Sequence, residues 1–85
     1  MTKQVATIKL INGLEARPVA MLVQLASQFD STVYLSSEGK RVNAKSIMGM
    51  MGLGLDTGTD VEIEADGQDE TTAVEKIAEY LSGNN

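Results

Sequence analysis

Hydrophobic and polar residues alternate along parts of this chain and recur at helical spacing in others. Residues 4–10 put Ala6, Ile8 and Leu10 on one side and Thr7 and Lys9 on the other, a half-buried strand pattern that Asn12-Gly13 breaks. From Ala16 to Phe29 the positions Val19, Leu22, Val23, Ala26 and Phe29 share one helical face. Pro18 suits the first turn of that helix, where its missing N–H is no loss, and Asp30-Ser31 ends it. Thr32–Leu35 reads as a strand, Ser36–Gly39 as a hairpin turn and Lys40–Val42 as the returning strand. Residues 46–53 can form only a short helix, because three glycines within or beside it lower its propensity. Thr57-Gly58-Thr59 is a loop. Asp60–Asp66 alternates strictly, Val61, Ile63 and Ala65 against Glu62, Glu64 and Asp66, and is the clearest strand in the chain. Val74, Ile77, Ala78 and Leu81 form the apolar stripe of a last helix, with Asp69 as its expected cap and Gly83 as its stop.

The order is therefore β-α-β-β-α-β-α. Strands with one polar face imply an antiparallel sheet covered by helices on a single side, an α+β architecture. On pattern alone, ferredoxin-like arrangements compete with other ways of connecting these elements. At 85 residues, 1–85 is expected to be one domain with a single layered core and no room for a large internal ligand cavity.

A net charge of −5 argues against direct binding of nucleic acid, which needs a basic footprint, and against docking on an anionic membrane. Cysteine and histidine are both absent, which removes disulfides, thiol catalysis and the usual ligands of zinc; no metal and no cofactor are implied. The N-terminus carries no apolar run of the signal-peptide kind, and no 18-residue apolar stretch occurs, so the expected location is the cytoplasm.

Two segments carry the candidate chemistry. Gly13-Leu14-Glu15-Ala16-Arg17-Pro18 lies where the first strand gives way to the first helix. Unpaired amides and the positive end of a helix dipole favour an anion there, and Arg17 adds a guanidinium. The Glu15 carboxylate would gain about 0.3–1 kcal/mol from that terminus when largely exposed. Three readings of Glu15 stay open: a solvated helix-terminal charge, an imitation of a phosphoryl group at a partner surface, and an acyl-phosphate acceptor. The last would need a Mg²⁺ site that the sequence does not display.

The second segment is Asn43-Ala44-Lys45-Ser46-Ile47-Met48-Gly49-Met50-Met51-Gly52-Leu53. A serine directly before a short helix is an N-cap, and the same hydroxyl can accept a phosphoryl group; the two roles are compatible. Ile47, Met48 and Met51 either pack on the sheet or form an adaptable apolar contact surface, and so short a helix cannot bury every one of its apolar side chains. Gly49, Gly52 and Gly54 are expected to permit close approach or helix termination. They belong to no phosphate-binding loop pattern.

Together these segments resemble the HPr family, the small phosphocarriers of the bacterial sugar phosphotransferase system, whose first motif reads Gly-Leu-His-Ala-Arg-Pro. The resemblance runs from the first strand to the last helix. Within the family it is similar to the branch of catabolite-repression HPr-like proteins, which keep the serine site and lack the histidine; that branch usually has glutamine where this chain has Glu15. The resemblance implies an open-faced β-sandwich with strand order 1-4-2-3, the sheet covered on one side by three helices. It implies no enzyme activity and no histidine phosphotransfer. Ser46 would be phosphorylated by HPr kinase/phosphorylase, and the product would serve as corepressor for catabolite control protein A, a LacI-type transcription factor. Glu15, Arg17, Ile47, Met48 and Met51 would contact partners, with Arg17 and the Ser46 patch adjacent in the fold. The rivals are a divergent phosphocarrier using Glu15 and a structural HPr-like domain with another partner. Edge strands of a small open sheet also permit exchange between chains, so a monomer or an exchanging dimer is expected.

Overall fold

The computed structural model describes residues 1–9, 16–53 and 57–83, with the backbone alone at 16–18. Its elements are β1 (Thr2–Thr7), α1 (Ala16–Ser27), β2 (Thr32–Ser37), β3 (Lys40–Asn43), α2 (Ile47–Leu53), β4 (Asp60–Asp66) and α3 (Glu70–Leu81). The four strands form one antiparallel sheet in the order β1-β4-β2-β3. This is the connectivity that the resemblance implied and that alternation alone did not choose.

Strand β4 lies between β1 and β2 and pairs with both along most of its length, Ile63 facing Gln4 on one side and Leu35 on the other. Val61, Ile63 and Ala65 are buried on the covered face, with Val33 and Leu35 of β2 and Ala6 of β1. Val19, Leu22, Val23 and Ala26 of α1 close over them, as do Val74, Ile77, Ala78 and Leu81 of α3, and Met50 and Leu53 complete the cluster from α2. Burying a side chain of this kind is worth about 1.5–3 kcal/mol. The two stripes read from the sequence are therefore the two helix faces that build the core.

β1 starts earlier and stops sooner than alternation predicts. Its pairing with β4 runs from Thr2 opposite Ala65 to Thr7 opposite Asp60, so polar Thr2, Lys3 and Gln4 become strand because β4 offers them partners. Ile8 is buried as expected, but beyond the ladder. Its amide donates to the Thr59 carbonyl at 2.9 Å, and its carbonyl accepts from the Gly58 amide at 2.7 Å. The Lys9 amide then turns to the Leu81 carbonyl at the end of α3. Leu10 lies outside the described residues.

On the open face, Glu64 is buried despite its charge. Arg41 of β3 donates to it at 2.9 Å and stacks 3.9 Å from the Tyr34 ring centroid, while Lys3 of β1 approaches within 3.9 Å. A carboxylate in mid-sheet is thus covered by cations from both sides, as a buried charge must be. The β2–β3 hairpin turns at Glu38 and Gly39, both with positive φ, the geometry that matches a two-residue loop to the twist of its strands.

Asp69 occupies the N-cap position of α3, yet its side chain makes no hydrogen bond to that helix. Its carboxylate instead accepts from the amides of Asp30 (2.9 Å) and Ser31 (3.0 Å) and from the Ser31 hydroxyl. Gly67 makes this possible: a Cβ there would stand 2.7 Å from the Cα of Ser31, so only glycine lets the turn before α3 lie so close. Glu70 holds the other end of the turn, accepting from the Gly67 amide at 3.2 Å and from the Thr2 hydroxyl. Its carboxyl falls to about 2, first because of the Met1 α-amino group and then because of Thr2.

The Ser31 hydroxyl, and after it the Asp30 amide, hold the Asp69 carboxyl below its ordinary value of 3.8. A carboxyl whose folded pKa is depressed stabilises the fold above its unfolded pKa and loses that contribution as pH falls toward the folded value. Asp69→Asn should therefore lower the urea midpoint at neutral pH and flatten its decline from about pH 4 downward relative to the parent chain. Parallel declines for the two proteins would mean that Asp69 does not carry this acid sensitivity.

Candidate functional site

The turn from β3 into α2 is determined by short-range hydrogen bonds around one buried residue. Ala44 is fully buried and its amide donates to the Val33 carbonyl at 2.9 Å. The Asn43 side-chain oxygen accepts from the Lys45 amide at 2.8 Å, and the Asn43 carbonyl accepts from the Ser46 amide at 3.0 Å. This is the Asx type of turn that asparagine favours. It delivers Ser46 to the start of α2 with its side chain exposed. The hydroxyl accepts from the Gly49 amide at 3.2 Å, and the Ser46 carbonyl accepts from the Met50 amide at 3.0 Å. Ser46 is the N-cap that its position suggested, three residues ahead of the amide it satisfies.

From there α2 divides its apolar residues between two sides. Met50 and Leu53 go into the core. Ile47, Met48 and Met51 stay outside, 48%, 87% and 53% exposed. The three residues singled out from sequence are thus solvent-facing side chains on the element that Ser46 opens. Helix α1 packs against α2. Arg17 lies in the first turn of α1, its side chain outside the described part, and Glu15 lies outside the described residues.

Of the two roles expected for the α2 glycines, close approach or helix termination, the first is not used at Gly49 or Gly52. An added Cβ would meet nothing within 4 Å at Gly52 and only ordinary contacts at Gly49, the nearest being the Ser46 hydroxyl at 3.5 Å. Gly54 lies outside the described residues. Each helical glycine costs about 0.5–1 kcal/mol relative to alanine, so a seven-residue helix holding two of them relies on its cap and its neighbours.

Sequence reasoning passed over two residues. Met21, on α1, is 51% exposed. The signal was present, since position 21 falls off the stripe formed by Val19, Leu22, Val23 and Ala26. The other is Lys45, whose amine donates to the Phe29 carbonyl at 2.7 Å, a bond across sixteen residues that no local pattern announces. A groove of about 360 Å³ opens between α1 and α3 beside Met21, Leu25 and Tyr80; Ser46, Ile47, Met48 and Met51 do not line it. Among the described residues, no group of three or more acidic, histidine or cysteine side chains is arranged to hold a metal ion, and no helix is long and apolar enough to cross a membrane.

A family model described as the PTS HPr component phosphorylation site matches residues 2–83. The chain belongs to the HPr family. Among HPr relatives, the HPr-like protein Crh of Bacillus subtilis (strain 168) is 51% identical over 81 residues, covering 95% of each chain. The phosphocarrier protein HPr from Bacillus anthracis str. Ames superposes with a TM-score of 0.92 at 41% identity, over 94% of this chain and 95% of that one. Seleno-methionyl Crh of B. subtilis, solved as a swapped, intertwined dimer, gives a TM-score of 0.80 at 49% identity, over 99% and 97% of the two chains. HPr proteins and this chain thus share the strand order as well as the sequence pattern.

Loss of the cap should be measurable. Ser46→Ala is expected to lower stability by about 1 kcal/mol, and Gly52→Ala to raise it by up to about 1 kcal/mol, in urea unfolding. If Ser46→Ala left the midpoint unchanged, the bond to Gly49 would contribute nothing.

Proposed function

We propose that this chain is a non-enzymatic HPr-like regulator of carbon catabolite repression, phosphorylated on Ser46 by HPr kinase/phosphorylase and then acting as corepressor of a LacI-type catabolite control protein. The observation that carries the reading is a contrast within one chain. The family's histidine is missing, with Glu15 in the first motif where the carrier would bear it, while Ser46 stands exposed beside exposed Ile47, Met48 and Met51. Similarity to proteins named HPr-like protein Crh supports the same choice over a phosphoryl shuttle. Work in the cytoplasm, without a cofactor, fits this role.

Phosphate at Ser46 would add about −1.5 to −2 charge, and its oxygens would meet a helix start whose first amides have no intrahelical acceptor. The fold would change little; the surface would change a great deal. A dianion beside three exposed apolar side chains offers a partner both a charge for arginine or lysine and an apolar centre. Arg17 and Glu15 would extend that surface from the start of α1.

Exchange of β1 between two copies is part of the proposal. β1 lies on an edge of the sheet, and the related Crh of B. subtilis was solved as a swapped dimer. Monomer and exchanging dimer would then be two forms of one chain.

Incubation with HPr kinase and ATP should add one phosphate, mapped by mass spectrometry to Ser46 and absent from Ser46→Ala. The modified chain should bind the transcription factor at least about tenfold more tightly than the unmodified one, and Met48→Ala should weaken that complex by about 1 kcal/mol or more. Equal affinity of both forms would remove the corepressor role. Label transferred to Glu15 from enzyme I and phosphoenolpyruvate would favour the phosphocarrier instead.

A further inference from the structure

We infer that Lys45 is a positioning residue for the modification of Ser46, acting through the main chain just past α1 and not through its own charge at the serine. The inference rests on the proposed function above for its reaction, and on the following geometry for its mechanism.

Lys45 is half-buried. Its amine bonds to the Phe29 carbonyl at 2.7 Å, just past the end of α1. That helix has no basic residue in its last turn. Its end tightens through bonds from the Gln28 amide to the Leu25 carbonyl and from the Phe29 amide to the Ala26 carbonyl, and the Phe29 carbonyl follows two residues beyond the helix. A helix end of this kind favours a cation, and here the cation comes from another segment of the chain. The residues just after Phe29 are held from the opposite direction, because Asp69 accepts the amides of Asp30 and Ser31. Phe29 is therefore a firm anchor and not a mobile loop.

The turn that Lys45 ties to this anchor is otherwise held by buried Ala44 and by its own short-range bonds. Ala44 is pinned to β2, and the Asn43 turn fixes Lys45 and Ser46 relative to each other. Helix α2 cannot supply rigidity of its own, being seven residues long with Gly49 and Gly52 inside it. The Lys45–Phe29 bond links this turn, and so the Ser46 hydroxyl, to the segment that follows α1, beyond what the Ala44–Val33 bond and the packing of α2 on α1 provide. A kinase that docks on the α1–α2 surface would receive Ser46 already in place. Without the tether, a fraction of molecules would hold the serine elsewhere, and apparent affinity would fall by that fraction.

The test compares the full chain with Lys45→Met, which keeps the aliphatic stem, and Lys45→Arg, which restores a cationic donor. Lys45→Met should keep its urea transition, exchange the Gly49 amide faster by NMR before any kinase is added, and lose about tenfold in kcat/KM for phosphorylation, the loss appearing in KM with kcat nearly unchanged. Lys45→Arg should recover most of the loss. Equal kcat/KM for Lys45→Met and the parent chain would overturn the inference. So would a raised KM with Gly49 exchange unaltered, because the amine would then be contacted by the kinase directly. If the parent chain takes no phosphate on Ser46, the proposed function fails and the assigned reaction goes with it, whereas Gly49 exchange still decides whether Lys45 orders the turn. Should Lys45→Met unfold, Lys45→Gln answers the same comparison.

Discussion

Everything in this fold depends on β4 being hydrogen-bonded along both edges. It joins the N-terminal strand to the β2–β3 hairpin, and its Val61, Ile63 and Ala65 supply the middle of the dry face against which the helices pack. Shifting its register by one residue would turn those three outward and bring Glu62, Glu64 and Asp66 into the core, which no small fold could tolerate. Glu64 also answers to this constraint from the other face, where Arg41 and Lys3 reach in from the two flanking sides of the sheet to cover it.

Much of this was legible in the residues, for a physical reason: burial on one face imposes a period, and the period survives in the sequence. The stripes of α1 and α3 and the alternation of β4 came through on those grounds. β1 did not, because Thr2 to Gln4 owe their strand to a partner about sixty residues away and not to their own pattern. Asp69 was recognised as the residue before α3, but its acceptors' real partners, Asp30 and Ser31, belong to a distant turn. The strand order likewise required a family resemblance, since alternation says which face is dry and not which strands are neighbours.

At the candidate site, Ser46 and its cap were readable from helix-start chemistry, and the short helix limited how many of its apolar residues could be buried. Which ones went inside was another matter. Met50 and Leu53 turn toward the core while Met48 is left almost fully exposed, a division set by how α2 sits on β3 and α1. Lys45 stayed hidden because a lysine beside a serine looks like an ordinary solvated charge until the end of α1 is placed next to it.

The wide separation of the β1–β4 partners also has a consequence for how the chain is made. Thr2 faces Ala65 and Thr7 faces Asp60, so β1 leaves the ribosome well before β4, whose ladder it joins. Until β4 follows, Ala6 and Ile8 lack the β4 neighbours that later enclose them, and closing so long a loop makes this the slow kind of contact to form. The hairpin of β2 and β3, closed by two residues, suffers no such delay. Topology thus favours closure of the β2–β3 hairpin ahead of the β1–β4 pairing.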